Sequence, residues 1–369
     1  MPTPAVRRWG LVRRREVKTP ADIRKILVLQ LCPIGDTLFG TPAVRALRAG
    51  FPGAEMVDLC WTSNAPVMEG NPHIDRLVKA KGTRELQHHL RYLQEEGFDL
   101  VVGLSHLGSW LAVTFPHALR VGFVSQTLGW AYYRNVPDRR QQHAIDYCLD
   151  VVRAAGAQPR GRYMEIFPGP DDVQAAEHFL AGLPARPAAG LVAMHPGGQH
   201  YQVKRWPAEA FAATADSLIA RGLGVVFVGG REDRTLARDI MTRMRHRAVD
   251  ATGRLSLRAT AVLISKCQVF VGNDSAPLHL ASAVGTPAVA LFGPSDPLNF
   301  APFGPADVVV RHPLACSPCL HWLEGPAHYL GRLAPRCQKE CMRAITPYEV
   351  TQAVLDILAA PTRRGASSP

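Results

Sequence analysis

No apolar run in this chain of 369 residues reaches the roughly 18 residues that a membrane-spanning helix requires. The longest candidate, SWLAVTFPHALRVGFVSQTLGWAYY, is broken by Pro116 and Arg120. The start, MPTPAVRRWGLVRRREVK, is basic but lacks the apolar core of a secretory signal, so a cytoplasmic location is expected. Neither G-x-G-x-x-G nor G-x-x-x-x-G-K-[ST] occurs, which removes a dinucleotide fingerprint and a P-loop. No RNP, zinc-finger or helix-turn-helix signature accompanies the positive charge, and no nucleic-acid partner is expected. Repeats and low-complexity blocks are missing apart from the Pro/Arg/Ala-rich ends.

What is present describes a soluble globular protein, with 47% apolar and 20% charged residues. At roughly 150 residues per domain, the length suggests two domains with a core each. The formal net charge is +11, and much of the excess lies at the start. There Arg7, Arg8, Arg13, Arg14, Arg15, Lys18, Arg24 and Lys25 face only Glu16 and Asp22. With Trp9 and Leu11 among the arginines, this segment suits the surface of an anionic bilayer, and it equally suits a disordered basic tail.

Apolar runs and helix-length segments alternate along the chain. KILVLQL (25–31) reads as a strand, CPIGD as a turn, and TLFGTPAVRALRAG as a helix stopped by Gly50. AEMVDLCW, DLVVGLSH and RVGFV continue the strand series. Pro- and Gly-rich stretches flank a helix expected from Asp171 to Ala181, after which GLVAMHPGG, GVVFVGG, QVFVGND, PAVALFG and DVVVRH form a second series. Such alternation predicts an α/β protein with two doubly wound, Rossmann-like halves and a ligand in the cleft between them. The expected division is a basic tail at 1–22, a first domain at 23–168, a linker at 169–189, a second domain at 190–358 and a disordered tail at 359–369.

Three turns in the second half follow strands and carry polar groups suited to a phosphorylated ligand. In GNDSAPLHLASAVG, Asp274 or Ser275 is placed to cap a helix opened by Pro277, whose free amides suit a phosphate, and His279 lies one turn in. The same residues would also make a well-capped helix of small residues packed on a sheet. In HPGGQHYQVKRWP, Gly197 and Gly198 bring backbone amides near a ligand, and Lys204 is placed to offset a leaving diphosphate. In FVGGREDR, Glu232 is placed to accept from ribose hydroxyls. The first half offers LCPIGDTLFGTP, in which Asp36 is either a helix cap or a general base facing the cleft.

These residues resemble glycosyltransferase family 9, the ADP-heptose:lipopolysaccharide heptosyltransferases. The resemblance runs from Lys25 to about Leu358 through KILVLQLCPIGDTLFGTPAVRALRAGFPGAE, EGNPHIDRLV, HPGG…KRWP, GGREDR and NDSAPLHLASAVGTPAVALFGPSDP. It implies a GT-B fold and inverting transfer of a heptose from ADP-heptose to a lipid-linked core oligosaccharide. By position it implies Asp36 as catalytic base, Lys204 on the diphosphate, Glu232 on the ribose, and Asp274, Ser275 and Ala276 as the donor-sugar and phosphate loop. Ala276 stands where glycine is common, and Gly197 and Gly198 stand where some members place hydroxyl side chains. No D-x-D pair occurs, so metal-independent transfer is expected. Another GT-B enzyme, such as a sugar-nucleotide epimerase, is the competing reading, opposed by Asp36 and the KRWP motif.

Cys32, Cys60, Cys148 and Cys267 lie in apolar segments and read as buried packing residues. The other four, Cys316, Cys319, Cys337 and Cys341, have a C-x₂-C…C-x₃-C spacing that resembles a structural zinc site. They equally resemble the cysteine-bearing tail of family members that in general need no metal.

Overall fold

The computed structural model describes residues 22–123, 134–136, 142–183, 189–198, 202–320 and 337–360. The first half runs β1 (Lys25–Gln30), α1 (Ile34–Gly50), β2 (Glu55–Trp61), α2 (Ala65–Met68), β3 (Arg76–Ala80), α3 (Thr83–Glu95), β4 (Leu100–Gly103), α4 (His106–Ala112), β5 (Leu119–Phe123), β6 (Arg134–Val136) and α5 (Ala144–Ala155). Its six strands are parallel, in the order β3-β2-β1-β4-β5-β6. Ile26 to Gln30 of β1 are buried, as a central strand covered on both faces requires.

The second half runs α6 (Pro170–Ala181), β7 (Leu191–His195), α7 (Ala208–Ile219), β8 (Gly224–Phe227), α8 (Arg234–Arg243), β9 (Val249–Asp250), α9 (Leu257–Ser265), β10 (Val269–Asn273), α10 (Ala276–Ala283), β11 (Ala288–Leu291), α11 (Pro297–Phe300), β12 (Val308–Val310), α12 (Glu340–Arg343) and α13 (Pro347–Ala359). Its strands are ordered β12-β11-β10-β7-β8-β9, also parallel. In each sheet the chain winds outward from its first strand and then crosses to the other side. The reversals fall between β1 and β4 and between β7 and β10, the points beyond whose carboxyl ends ligands bind in open α/β sheets.

The halves are tied together through those same ends. Phe39 of α1 lies 4.4 Å, ring to ring, from His279 of α10 and 6.1 Å from Phe300 of α11. The Nε2 of His143 lies 3.0 Å from the carbonyl of Ala301, and Asn299 Nδ2 donates to Gln142 O at 2.8 Å. Burial pushes the His143 ring down to about 3, so it stays neutral, with Nε2–H donating to Ala301 and Nδ1 accepting from the Ile145 amide. Farther out, Arg258 of α9 pairs with Asp172 of α6 at 2.8 Å and reaches the carbonyl of Glu69.

The strands β3, β6 and β9 go beyond the sequence expectation. β3 reads RLVKA, with charges inside it, and the other two have three and two residues, too short for periodicity to register. At the other end α13 reaches Ala359, one residue past the expected end of the second domain. Among the described residues no helix is long and apolar enough to cross a membrane. The basic segment 1–22 lies outside the described residues except for Asp22, and so does 361–369.

Candidate functional site

At the reversal of the second sheet, Asn273 ends β10 with a fully buried side chain. Its Nδ2 donates to the carbonyls of Pro196 at 2.9 Å and Gly197 at 3.0 Å, while its Oδ1 accepts the Trp206 amide at 3.0 Å. Trp206 in turn donates its indole N–H to Ile345 O at 2.9 Å. One amide side chain therefore fastens both ends of the HPGG…KRWP loop to the strand beside it, and this sets the position of Lys204 in the turn Gln202–Lys204.

Lys204 Nζ lies 2.5 Å from Asp274 Oδ2, and His279 Nε2 lies 3.6 Å from Asp274 Oδ1. Burial alone would raise the Asp274 carboxyl; the charge of Lys204 and the His279 ring reverse this and hold it well below the usual carboxylate range. The Lys204 ammonium also stands 5.7 Å from the centre of the Phe300 ring. Asp36 meets this group from the other sheet, in the first turn of α1. Burial pushes its carboxyl up to about 7, with Lys204 pulling it back and Asp274 pushing it further. It makes no hydrogen bond to another described residue, and Pro33 is the N-cap of α1, so Asp36 is not a helix cap. Beside it Gly35 packs against α10, where an added Cβ would stand 3.1 Å from the His279 ring.

Ser275 occupies the N-cap of α10 but makes no side-chain bond to the helix amides, contrary to the expected cap. Its Oγ lies 3.1 Å from the carbonyl of Asn273 and 2.9 Å from Nδ1 of His195. In the first turn of α10 the Leu278 and His279 amides bond to the Ser275 carbonyl and Pro277 has no N–H, which leaves the Ala276 amide at the start of the helix for an anion.

Gly197 and Gly198 each have a structural reason to lack a side chain. An added Cβ at Gly197 would fall 2.0 Å from Asp233 Oδ1 and 2.8 Å from His195 Nε2, so the missing side chain makes room for a protein carboxylate rather than for a ligand. Gly198 has φ +147, a backbone that side chains disfavour. Glu232 is exposed in the turn Arg231–Asp233 after β8, and a Cβ at Gly230 would meet both of its carboxylate oxygens at 2.4 Å.

His195, Asp233 and Asn273 are site residues that the sequence reading missed. His195 stood in the quoted HPGG and Asn273 in VGND, so a polar residue closing an apolar strand was the available signal. For Asp233 there was none, because GGREDR does not say which of two adjacent acids turns inward.

The cysteines divide as expected except that Cys32 is half-buried, near Asp36 at the end of β1. Cys319 N donates to Pro294 O at 2.8 Å, and a Cβ at Gly293 would stand 2.9 Å from Cys341 Sγ, so the turn 293–294 gathers both cysteine segments. Burial pushes the Cys319 thiol up, and Cys337, Cys341 and Cys316 add to it. Among the described residues no group of three His, Cys, Asp or Glu side chains is placed to hold a metal ion.

The arrangement of two parallel sheets has counterparts among known proteins. Over 290 residues, covering 73% of this chain and 83% of the relative, it is 26% identical to lipopolysaccharide heptosyltransferase 3 of Escherichia coli. The crystal structure of a glycosyl transferase family 9 protein from Veillonella parvula superposes with a TM-score of 0.76 at 24% identity, over 92% of this chain and 98% of that one. That of E. coli ADP-heptose lps heptosyltransferase II gives 0.71 at 21%, over 90% and 98%. These likenesses establish the GT-B fold. The family model for glycosyltransferase family 9 (heptosyltransferase) matches residues 86–328, and the chain belongs to that family of glycosyltransferases.

Proposed function

We propose that the protein is an inverting heptosyltransferase that moves a heptose from ADP-heptose to a lipid-linked core oligosaccharide in lipopolysaccharide biosynthesis. The observation that carries the reading is the meeting of Asp36, with its carboxyl near neutrality, with Lys204, Asp274 and the uncapped start of α10 across the two sheets. The names of the E. coli relatives, with lipopolysaccharide and ADP-heptose in them, supply the acceptor and donor classes.

In this reading the acceptor hydroxyl oxygen attacks the anomeric carbon from the side of Asp36, which takes the hydroxyl proton. The bond from the anomeric carbon to the diphosphate breaks on the opposite face, and ADP leaves with that electron pair. Its added charge falls on Lys204 and the Ala276 amide at the start of α10, which are positioned before the bond breaks. Glu232 is assigned to the ribose, Asp274, Ser275, Ala276 and His279 to the sugar and phosphate side, and Gly197 and Gly198 to the loop beneath. Catalysis requires no metal in this scheme, since a lysine and a helix end supply the positive charge. The basic N-terminus would hold the enzyme on the anionic cytoplasmic face of the inner membrane, where a lipid-linked acceptor resides.

A thermal-shift series with ADP, GDP, UDP and their sugars tests the donor. ADP and ADP-heptose should give the largest rise, since a ligand at 100 times its Kd stabilises the native state by about 2.7 kcal/mol. Stabilisation by UDP-sugars with none by ADP-sugars would sink the heptose assignment. Transfer to a truncated lipid-linked acceptor should be unchanged by a chelator, and loss of activity on chelation would refute the metal-free scheme.

A further inference from the structure

Ser275 does something other than cap its helix. Its hydroxyl sits at one end of a line of three side chains drawn from three different strand ends. Ser275 Oγ lies 2.9 Å from His195 Nδ1, and His195 Nε2 lies 3.3 Å from Asp233 Oδ2. His195 is 3% and Asp233 5% exposed, so water does not compete for either. Asp233 also accepts the Gly230 amide at 3.0 Å, which fixes it in the turn that carries Glu232.

Hydrogen-bond bookkeeping along this line restricts what Ser275 can do. Burial would raise the Asp233 carboxyl, but the His195 ring, the Gly230 amide and the charge of Arg205 hold it below its ordinary value, so it is an anion and only accepts. His195 Nε2 must then carry a proton. If the ring is neutral, Nδ1 accepts and the Ser275 proton is spent on it. If the ring carries both protons, Nδ1–H donates to Ser275 Oγ, and the hydroxyl proton is released to another acceptor. In the structure that second acceptor is the carbonyl of Asn273 at 3.1 Å. An anionic ligand at the start of α10 needs a donor there, and a Ser275 hydroxyl that already donates away from Nδ1 supplies one. The charged groups around the ring are Asp233 from the β8 turn with Arg205 beyond it, and the Lys204–Asp274 pair on the far side of Ser275.

We propose that His195, anchored by Asp233, is a positioning residue that turns the Ser275 hydroxyl into a hydrogen-bond donor to the diphosphate of the donor nucleotide. The inference rests on the function proposed above. It adds that the ribose-side turn and the phosphate-side turn are aligned through one imidazole.

Two substitutions separate this role from that of a mere strut. His195→Gln keeps an amide at the reach of Nε2, toward Asp233, but offers nothing to Ser275. His195→Asn keeps an amide donor near the place of Nδ1, toward Ser275, and gives up Asp233. Calorimetric titration of the full chain with ADP, together with single-turnover transfer, should show His195→Gln weakened by about 5–30-fold, to the level of Ser275→Ala, and His195→Asn recovering much of that loss. The double variant Ser275→Ala/His195→Gln should bind no worse than Ser275→Ala alone. Thermal melts of each variant, taken in parallel, identify any that fail to fold; the Ser275→Ala and His195→Asn comparison then decides. Wild-type binding by His195→Gln, or losses that add fully in the double variant, would overturn the inference alone. A wild-type protein that does not bind ADP would overturn the proposed function and this inference with it.

Discussion

Asp36 stands in a partly open position with a carboxyl that burial pushes up to about 7, which is where a base active at neutral pH should titrate. For transfer that needs the ionised form, kcat/KM should rise about tenfold per pH unit below 7 and level off above it. Asp36→Asn keeps shape and one oxygen but takes no proton, so turnover should fall about 10²–10⁴-fold while ADP affinity barely changes. Near-normal turnover would return Asp36 to a structural role. The same shift fixes a stability difference of opposite sign. Between about pH 4 and 7 the unfolded chain has released this proton and the native state still holds it, so native stability falls as pH rises through that window and is flat above it. The Asn variant lacks that slope and should be more stable at pH 8 by up to roughly 4 kcal/mol. Lys204→Ala should act differently, weakening ADP binding as well as slowing turnover. It also leaves Asp274 buried without its ammonium partner, at a cost of about 2–4 kcal/mol that a urea melt would read.

Among the elements, the end of β10 and the start of α10 do most to build the site. Asn273 holds the loop between β7 and α7 with three hydrogen bonds, all in a buried position. Asn273→Ala leaves two carbonyls and the Trp206 amide without that partner, and at about 1–3 kcal/mol for an unsatisfied buried group the protein should lose about 2–4 kcal/mol. ADP affinity should drop as well, since Lys204 is placed by the same loop; a loss of stability with unchanged affinity would show that the loop is held by something else. The helix α10 itself was legible from QVFVGND followed by SAPLHLASA, an apolar strand, a polar turn and a proline in the first turn. Its cap was not. Ser275 has the right chemistry for capping, but its hydroxyl is taken by the Asn273 carbonyl and by His195 across the turn.

Across the whole molecule, the site exists because α1 and α10 approach end to end. Gly35 makes that approach possible, with 3.1 Å between an imagined Cβ and the His279 ring. Gly35→Val should hold the halves apart, cutting turnover by at least about tenfold through misplacement of Asp36. Donor binding lies wholly on the second sheet in this scheme, so ADP affinity should stay within about twofold. Equal losses of both would mean that the first half takes part in binding the donor.

The sequence by itself determined the inner strands of the two sheets and the polar turns that follow them. A buried parallel strand must be a nearly continuous apolar run, and KILVLQ, LVAMH and VFVGN announce themselves on that ground, with the turns that follow them confined to the carboxyl edge. Asp36, Lys204, Glu232 and Asp274 stood out in the sequence because each is a charged group in or beside a stretch that joins an apolar run to the next helix. What only the tertiary structure decided is which side chains face each other across separate turns. The inward turn of Asp233 beside the outward Glu232, the space it takes at Gly197, and the line from it through His195 to Ser275 all depend on distances between strand ends far apart in sequence. No local pattern encodes such distances, because they are set by sheet order and by the packing of one half against the other.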